Sequence, residues 1–327
     1  VLRALAIERG VVAVTKADVA DPAVAMIEAS ELLPGAEAVP VSARTGLGLD
    51  ELRAALDRAA AAAPSRAQAP GEARLHVDRV FTIRGAGTVV TGTLWSGSIG
   101  RGDELRLLPE GRRARVRSVQ VHNEPLERAP AGQRVAVNLV GVAVDEVERG
   151  DVLTSPDGDV AATFLIDAQL DLGEAELEYG ARVQVHHGTR ESPARMAHLG
   201  GQYWQLRLEQ PLVPAAGDRL VIRQIAPPDT LGGGVVLDAH PRKHGPTRTL
   251  LVNLERLARG EGSPDGALAL SAVPEAPRPV PKANTPLPDS ARVLEHQLRS
   301  SGLEPPPDSE LDEQDLAALR EAGAPQL

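Results

Sequence analysis

The sequence of 327 residues contains no cysteine and very few aromatic residues. The absence of cysteine excludes disulfides and thiolate-ligated metal sites, and it is typical of proteins from a reducing compartment. Because aromatic residues make up only 2% of the chain, any hydrophobic core must consist mainly of Val, Leu, Ile and Ala. No apolar run approaches the length of a membrane span. We therefore expect a cytoplasmic protein with no membrane partner.

The charge balance is acidic, with a formal net charge of −10 at pH 7. The chain as a whole should not attract nucleic acid, so any RNA contact must use a local basic patch. The most compact patch consists of Arg242 and Lys243, with Arg248 close by in the sequence. Such residues bind RNA phosphates with salt-dependent affinity. The alternative interpretation of this patch is the solvated start of a helix.

Two polar segments follow apolar runs near the N-terminus. Thr15-Lys16-Ala17-Asp18 comes directly after Val11–Val14, and Ser42-Ala43 comes directly after residues 38–41. Open α/β sheets bind ligands in the loops at the carboxyl ends of their strands. An Asp carboxylate offers two acceptor oxygens, which suit the ring N–H and the amino group of guanine. Together the segments predict a guanine site made by Thr15, Lys16, Asp18, Ser42 and Ala43. The alternative is two ordinary polar loops.

The sequence lacks the phosphate-binding motif that accompanies such a guanine site. No segment matches Gly-x-x-x-x-Gly-Lys-Ser/Thr, and no Asp-x-x-Gly precedes Thr15 to position a magnesium ion and a water. We therefore expect the chain to begin inside its nucleotide domain and to carry the base-reading half of the site only. No catalytic residue is assigned, and the magnesium ligands of a complete protein are not encoded here.

The pattern of apolar residues changes along the chain. Strands and helices alternate up to about residue 60, and residues 59–71 have the composition of a linker. Two series of short alternating strands follow, at 74–121 and 162–238, separated by glycine-containing turns. Short strands at this spacing are typical of small barrels. Leucines at 250, 251, 254 and 257 then predict a helix over 249–259, and residues 274–288 are rich in proline.

Several segments, taken together, resemble the selenocysteine-specific elongation factors (SelB family), a branch of the translational GTPases. The family's guanine motif begins with Thr in place of the usual Asn, as at Thr15. The other matching segments are DRVFT (78–82), GAGTVVTGT (85–93), AGQRVAVNL (131–139), RGDVL (149–153) and DTLGGGVVLD (229–238), followed by Pro241-Arg242. The resemblance covers residues 10 to about 242. Residues 298–319 further resemble part of a winged-helix module.

The resemblance implies a fold and a division of the chain. The expected fold is an α/β remnant of a P-loop GTPase domain, two all-β barrels like those of elongation factor Tu, and a partly helical tail. The predicted segments are the C-terminal part of the GTP-binding domain (1–65), a translation-factor barrel (72–156), a second barrel (160–242), a helix with a Pro-rich linker (243–288) and a partial winged-helix-like tail (289–327).

The resemblance also implies a function. The complete protein would bind GTP with magnesium and deliver selenocysteinyl-tRNA to the ribosome at recoded UGA codons. A complete C-terminal region would bind a messenger RNA hairpin. Two alternatives stay open: a generic aminoacyl-tRNA carrier or initiation-type GTPase, and a non-catalytic tRNA-binding fragment.

The family resemblance associates three residues with the selenocysteine pocket. A selenol is largely ionised near neutral pH, whereas a serine hydroxyl is not, so a selective site should present permanent positive charge. Arg79 and Arg134 are the candidates for this charge, with Asp78 orienting them or the amino group of the cargo. The alternative is an ion pair on a strand surface, which adds little stability.

Histidines suggest a metal site at first sight, but the sequence does not support one. His186-His187 and the pair His240 and His244 have no acidic or sulfur partner at a matching spacing. We therefore assign no metal ligand.

Overall fold

The computed structural model describes residues 1–261, apart from residues 3, 8, 64, 66, 68–70, 84–86, 174–176 and 178–179. The predicted Pro-rich linker, the tail and its resemblance to a winged-helix module lie outside the described residues. Among the described residues, none of the helices has the length and apolar character needed to cross a bilayer.

The N-terminal part is a small α/β unit with the predicted alternation. Its elements are β1 (Val11–Val14), α1 (Ala23–Leu32), β2 (Glu37–Pro40) and α2 (Leu49–Ala62). β1 and β2 pair in parallel, with Val14 opposite Pro40. α2 packs Ala55 against Val39 and Val41. Because parallel strands place their carboxyl ends at one edge, the loops after β1 and β2 lie side by side.

The first barrel contains six antiparallel strands in a closed ring. The strands of this part are β3 (Arg74–Ile83), β4 (Gly87–Ser96), β5 (Ser98–Gly100), β6 (Glu104–Leu108), β7 (Arg112–Val121), β8 (Glu124–Leu126), β9 (Arg128–Pro130), β10 (Arg134–Val140) and β11 (Val152–Thr154), with a 3₁₀ turn at Val144–Glu146. The ring runs β10-β4-β3-β11-β6-β7 and closes by pairing β7 with β10, while β8 extends outward from β7 and β5 pairs with β9.

The second barrel also closes with six strands. They are β12 (Thr163–Asp171), β13 (Arg182–His187), β14 (Arg190–Gly200), β15 (Tyr203–Leu212), β16 (Arg219–Gln224) and β17 (Thr230–Asp238). Around the barrel they follow the order β12-β15-β14-β13-β16-β17. Helix α3 (Arg248–Ala258) is capped by Thr247, whose hydroxyl accepts the Leu250 N–H at 3.2 Å. Its leucines 250, 254 and 257 pack against this barrel.

Both barrel cores are built from alternate residues of each strand. In β10, Val135, Val137 and Leu139 point into the first barrel, so Arg134 and Ala136 lie on the outer face. Among the described residues, the buried hydrophobic side chains are Ala, Val, Leu, Ile and Met, with no aromatic. The core composition expected from the scarcity of aromatic residues is therefore confirmed for the described chain.

A buried polar cluster joins the two barrels. Arg74 of β3 donates two hydrogen bonds to Asp218, at 2.8 and 2.6 Å, and His187 lies 2.8 Å from the same carboxylate. Burial by itself raises the pKa of Asp218, but the hydrogen bonds from His187 and Arg74 outweigh burial and lower the pKa to about 2. The two barrels are therefore linked by a charged network that requires an ionised carboxylate.

The aromatic half of this cluster fixes how closely the barrels approach. His76 packs on Trp95, with ring centroids 4.0 Å apart. Gly188, in the turn after β13, has a φ of +57°, and a Cβ there would collide with Nδ1 of His76. Glycine is thus required at position 188, both for the backbone conformation and for contact between the barrels.

Asp218→Asn is expected to lower the free energy of unfolding by about 3 kcal/mol, because it leaves a buried arginine without its charge partner. Asp218 has a lowered pKa in the folded state, so its contribution is fully present above its ordinary pKa of 3.8 and is lost as the pH falls through about 2. Urea unfolding of wild type and variant at several pH values measures this. The difference in the free energy of unfolding between wild type and Asp218→Asn should narrow between pH 4 and pH 2. Asp157→Asn, in an exposed turn, is the control.

Candidate nucleotide and cargo sites

The loops after β1 and β2 meet at the carboxyl edge of the small sheet. The Val41 N–H donates to Val14 O at 2.8 Å, and the Ala17 N–H donates to Val41 O at 3.1 Å. The first loop turns at Lys16, which has a φ of +62°, a region that non-glycine residues seldom adopt. The structure therefore brings the five predicted guanine-site residues, Thr15, Lys16, Asp18, Ser42 and Ala43, to one edge.

The Asp18 carboxylate is held by the second loop. Arg44 donates from Nε and Nη2 to Oδ2 of Asp18, at 2.9 and 2.5 Å. Hydrogen bonds from the Ser42 hydroxyl and from Arg44 keep the pKa of Asp18 below its ordinary value. The Ser42 hydroxyl oxygen also accepts the Thr45 N–H at 3.2 Å. The carboxylate is thus ionised and oriented, as an acceptor for two base donors must be.

Arg44 was not among the predicted site residues. Its guanidinium occupies one oxygen of Asp18, while 77% of its side chain is exposed. An exposed arginine can swing into solvent at small cost. Arg44 follows Ala43 directly, so the sequence places it beside the predicted site. Its contact with Asp18 could not be predicted, because the contact depends on how the two loops face each other.

The predicted cargo residues lie on the outer face of the first barrel. A bulge in β3 shifts the register between Val77 and Arg79, so that Asp78 is an extra residue there. Asp78 pairs with Arg134 of β10 through two parallel hydrogen bonds, Nε to Oδ2 at 2.8 Å and Nη2 to Oδ1 at 2.7 Å. The structure therefore joins Asp78 and Arg134 directly, although 56 residues separate them.

Thr91 of β4 completes this group, and the sequence analysis missed it. The strand order places β4 between β10 and β3. The Thr91 hydroxyl donates to Oδ1 of Asp78 at 2.7 Å and lies 2.8 Å from Nη2 of Arg134, whose N–H it accepts. The alternating pattern of β4 put Thr91 on one face of a strand, but only the register between three strands shows what it contacts.

The electrostatics of this group are those of a stable ion pair. The hydrogen bonds from Arg134 lower the pKa of Asp78, and the charge of Arg79 adds to the effect. The bond to Asp78 likewise raises the pKa of Arg134. Arg79 is exposed on β3, the strand that also carries Asp78. Asp78, Arg79 and Arg134 together carry one net positive charge, so the face remains cationic despite the ion pair.

The basic patch after the second barrel is held to it by a buried network. Oδ2 of Asp167 lies 2.7 Å from Nε2 of His244, and Gln205 donates to Asp167 and to the carbonyl of Arg242. Burial raises the pKa of Asp167, although His244 opposes this effect. The side chains of Arg242, Lys243 and Arg248 lie in the exposed part of the segment. The three cations are therefore exposed to solvent outside the barrel core, within the segment 242–248.

Two of the histidines that suggested a metal site have acidic partners far away in the sequence, whereas His186 lies 3.2 Å from the nearby Glu191. His187 contacts Asp218, 31 residues on, and His244 contacts Asp167, 77 residues back. Sequence spacing could not find these pairs, because barrel closure creates them. Within the described ranges, no group of three or more His, Cys, Asp or Glu residues is arranged to hold a metal ion.

Two family models match the barrels. The model for elongation factor Tu domain 2 matches residues 87–154, and the model for the beta-barrel domain of selenocysteine-specific elongation factor matches residues 165–243. The chain is 38% identical over 263 residues to the selenocysteine-specific elongation factor of Desulfomicrobium baculatum, covering 73% of this chain and 40% of that protein. The homologue of Escherichia coli K12 is 34% identical over 228 residues, covering 68% and 36%.

Solved structures agree with these matches. The crystal structure of a bacterial selenocysteine-specific elongation factor EF-Sec is 28% identical, with a TM-score of 0.69, covering 78% of this chain and 44% of that one. Elongation factor SelB of Methanococcus maripaludis, solved with the GTP analogue GppNHp, is 28% identical, with a TM-score of 0.64, covering 73% and 60%. The chain spans about two fifths of the length of the curated relatives named above.

Proposed function

Because the chain belongs to the selenocysteine-specific elongation factors, we propose that the protein delivers selenocysteinyl-tRNA to the ribosome at recoded UGA codons in a GTP-dependent manner. The observation that carries the proposal is the Asp78–Thr91–Arg134 group on the first barrel, beside the exposed Arg79. A permanently charged and oriented guanidinium suits an ionised selenol and gives no such advantage to a neutral hydroxyl.

The protein would use GTP for this function, and the loops after β1 and β2 would recognise the guanine base. Asp18 would accept the two guanine donors, Lys16 would pack its stem along the base, and the Ala43 N–H would meet the guanine carbonyl. The carboxylate of Asp18 fits this role because it is ionised and faces the edge where both loops meet. When bound with GTP in the complete protein, magnesium would neutralise phosphate charge, and the residues of this chain would hold the base.

RNA contacts beyond the cargo are assigned to the basic patch of Arg242, Lys243 and Arg248. The patch follows the second barrel directly and is fastened through His244 and Asp167. The proposal further includes contacts with the ribosome and with a messenger RNA hairpin, and a cytoplasmic location. It also divides the chain into five segments: 1–65, 72–156, 160–242, 243–288 and 289–327.

Cargo preference tests this function. The 327-residue chain is joined behind the part of the Desulfomicrobium baculatum relative that precedes the matching region, a protein we call the hybrid. Selenocysteinyl-tRNA and the same tRNA charged with serine are titrated against the hybrid with GppNHp. The proposal expects clearly tighter binding of selenocysteinyl-tRNA. Equal affinities would identify a generic aminoacyl-tRNA carrier, and tRNA binding that ignores the nucleotide would identify a non-catalytic binding fragment.

The 327-residue chain alone is expected not to hydrolyse GTP above background. Phosphoryl transfer needs a phosphate cradle, magnesium ligands and a positioned water, and the sequence contains no Gly-x-x-x-x-Gly-Lys-Ser/Thr motif. Phosphate release from pure chain measures this, with the hybrid as the positive control. Sustained turnover by the chain, abolished by Asp18→Ala, would show that the chain itself supplies the phosphate-handling groups of the site that contains Asp18, and the expectation would be wrong.

A further inference from the structure

The Arg134 guanidinium is held by three hydrogen bonds to two neighbours, Asp78 and Thr91. An arginine has five N–H donors, one on Nε and two on each Nη. The Nε donor and one Nη2 donor bond to Asp78, and Nη2 also lies 2.8 Å from the Thr91 hydroxyl. Three of the five donors are therefore committed within the group. Among the described residues, none accepts a hydrogen bond from Nη1, and 52% of the side chain is exposed.

Thr91 is the part of this arrangement that restricts rotation. A bidentate carboxylate and an arginine can rock together as a unit, because both sit on flexible side chains. The hydroxyl of Thr91 bonds to both partners at once, to Oδ1 of Asp78 at 2.7 Å and to Nη2 of Arg134. Its β-branched side chain is stiff, and only 9% of the residue is exposed. It therefore ties the ion pair to the middle strand of the three.

We propose that Thr91 is a positioning residue for cargo selection: together with Asp78 it holds Arg134 so that the two Nη1 donors face an anionic cargo side chain. This inference rests on the proposed function, because it takes the ionised selenol as the group that Nη1 contacts. Thr91 itself acts through Arg134. A guanidinium already oriented does not lose its conformational freedom when cargo binds, and this saving is largest for a cargo that uses the charge.

The chain offers a matched pair of substitutions at this position. Thr91→Val keeps the branched shape and the strand preference but removes both hydrogen bonds. Thr91→Ser keeps the hydroxyl and removes a methyl group. Thr91 lies on the outer face, opposite Ala136 of β10, so neither change opens a cavity in the core.

In the hybrid with GppNHp, Thr91→Val should lower the preference for selenocysteinyl-tRNA over seryl-tRNA about tenfold, the effect of losing one or two net hydrogen bonds. Thr91→Ser, which keeps the hydroxyl, should retain most of the wild-type preference. Arg134→Ala serves as the reference. If Arg134→Ala lowers the preference while Thr91→Val leaves it unchanged, the inference about Thr91 is wrong and the proposed function stands. If Arg134→Ala leaves it unchanged, the cargo pocket itself is wrongly assigned.

A second measurement tests the geometry without any cargo. In the full chain labelled with ¹⁵N-arginine, relaxation of the Nε signal of Arg134, assigned by its loss in Arg134→Ala, reports how far the guanidinium rocks as a unit. Restricted rocking is expected in wild type and in Thr91→Ser, and freer rocking in Thr91→Val. Identical rocking in wild type and Thr91→Val would overturn the positioning role, whatever the tRNA titrations give.

Discussion

Asp18→Asn in the hybrid is expected to change its preferred base from guanine to xanthine. On the proposed assignment the Asp18 carboxylate would accept from two guanine donors, and losing one charged hydrogen bond would leave a donor unpaired. Affinity for GTP should therefore fall by about one to two orders of magnitude. Xanthine carries a carbonyl where guanine has its amino group. The amide introduced by the substitution offers one donor and one acceptor to the base, which suits that edge, so xanthosine triphosphate should bind better than GTP.

Competition titrations with both nucleotides measure this change. Arg44→Ala is the informative control, because Arg44 donates two hydrogen bonds to Oδ2 of Asp18. If guanine takes the place of Arg44, removing Arg44 should leave GTP affinity unchanged or raise it. Unchanged GTP affinity in Asp18→Asn would exclude Asp18 as the base-reading residue. A large loss of GTP affinity in Arg44→Ala would mean that Arg44 contacts the nucleotide directly.

The order of elements in the α/β unit could be predicted because its signals are local. Each apolar run of about four residues ends in a polar loop, and parallel pairing of β1 with β2 brings those loops to one edge. The ion pair between Asp18 and Arg44 could not be predicted in the same way. It depends on the turn at Lys16, where a non-glycine residue has a φ of +62°, and the residue type gave no sign of this conformation.

In the barrels, too, local patterns predicted the elements but not the contacts between them. Alternation of apolar and polar residues predicted the strands and the residues that face outward. It carried no information on strand register, and a bulge at Asp78 moves that residue relative to β4. Family resemblance supplied Asp78, Arg79 and Arg134, but the contacts of Thr91 emerged only from the register of β3, β4 and β10. The buried pairs His187–Asp218 and His244–Asp167 emerged only from closure of the second barrel, which joins residues that the sequence separates widely.

Arg134→Ala in the hybrid is expected to lower the affinity for selenocysteinyl-tRNA by about a hundredfold and the affinity for seryl-tRNA much less. The change removes the permanent charge that is proposed to face the cargo and also leaves Asp78, beside Thr91, without its bidentate partner. An uncompensated carboxylate then repels an ionised selenol, whereas a serine hydroxyl can still donate to it. The charge of the cargo therefore decides the size of the effect, which a general contact with tRNA would not produce.

Folding should survive the loss of Arg134, because its side chain is on the outer face and the core residues of β10 are Val135, Val137 and Leu139. Circular dichroism checks this point. Arg79→Ala separates charge from geometry, because Arg79 is exposed on β3 and adds charge near Asp78. It should lower the preference for selenocysteinyl-tRNA by a smaller, salt-sensitive factor. Equal losses for both cargos in Arg134→Ala would instead mean that Arg134 holds the tRNA in general. A full loss with Arg79→Ala alone would transfer the reading of selenium to Arg79.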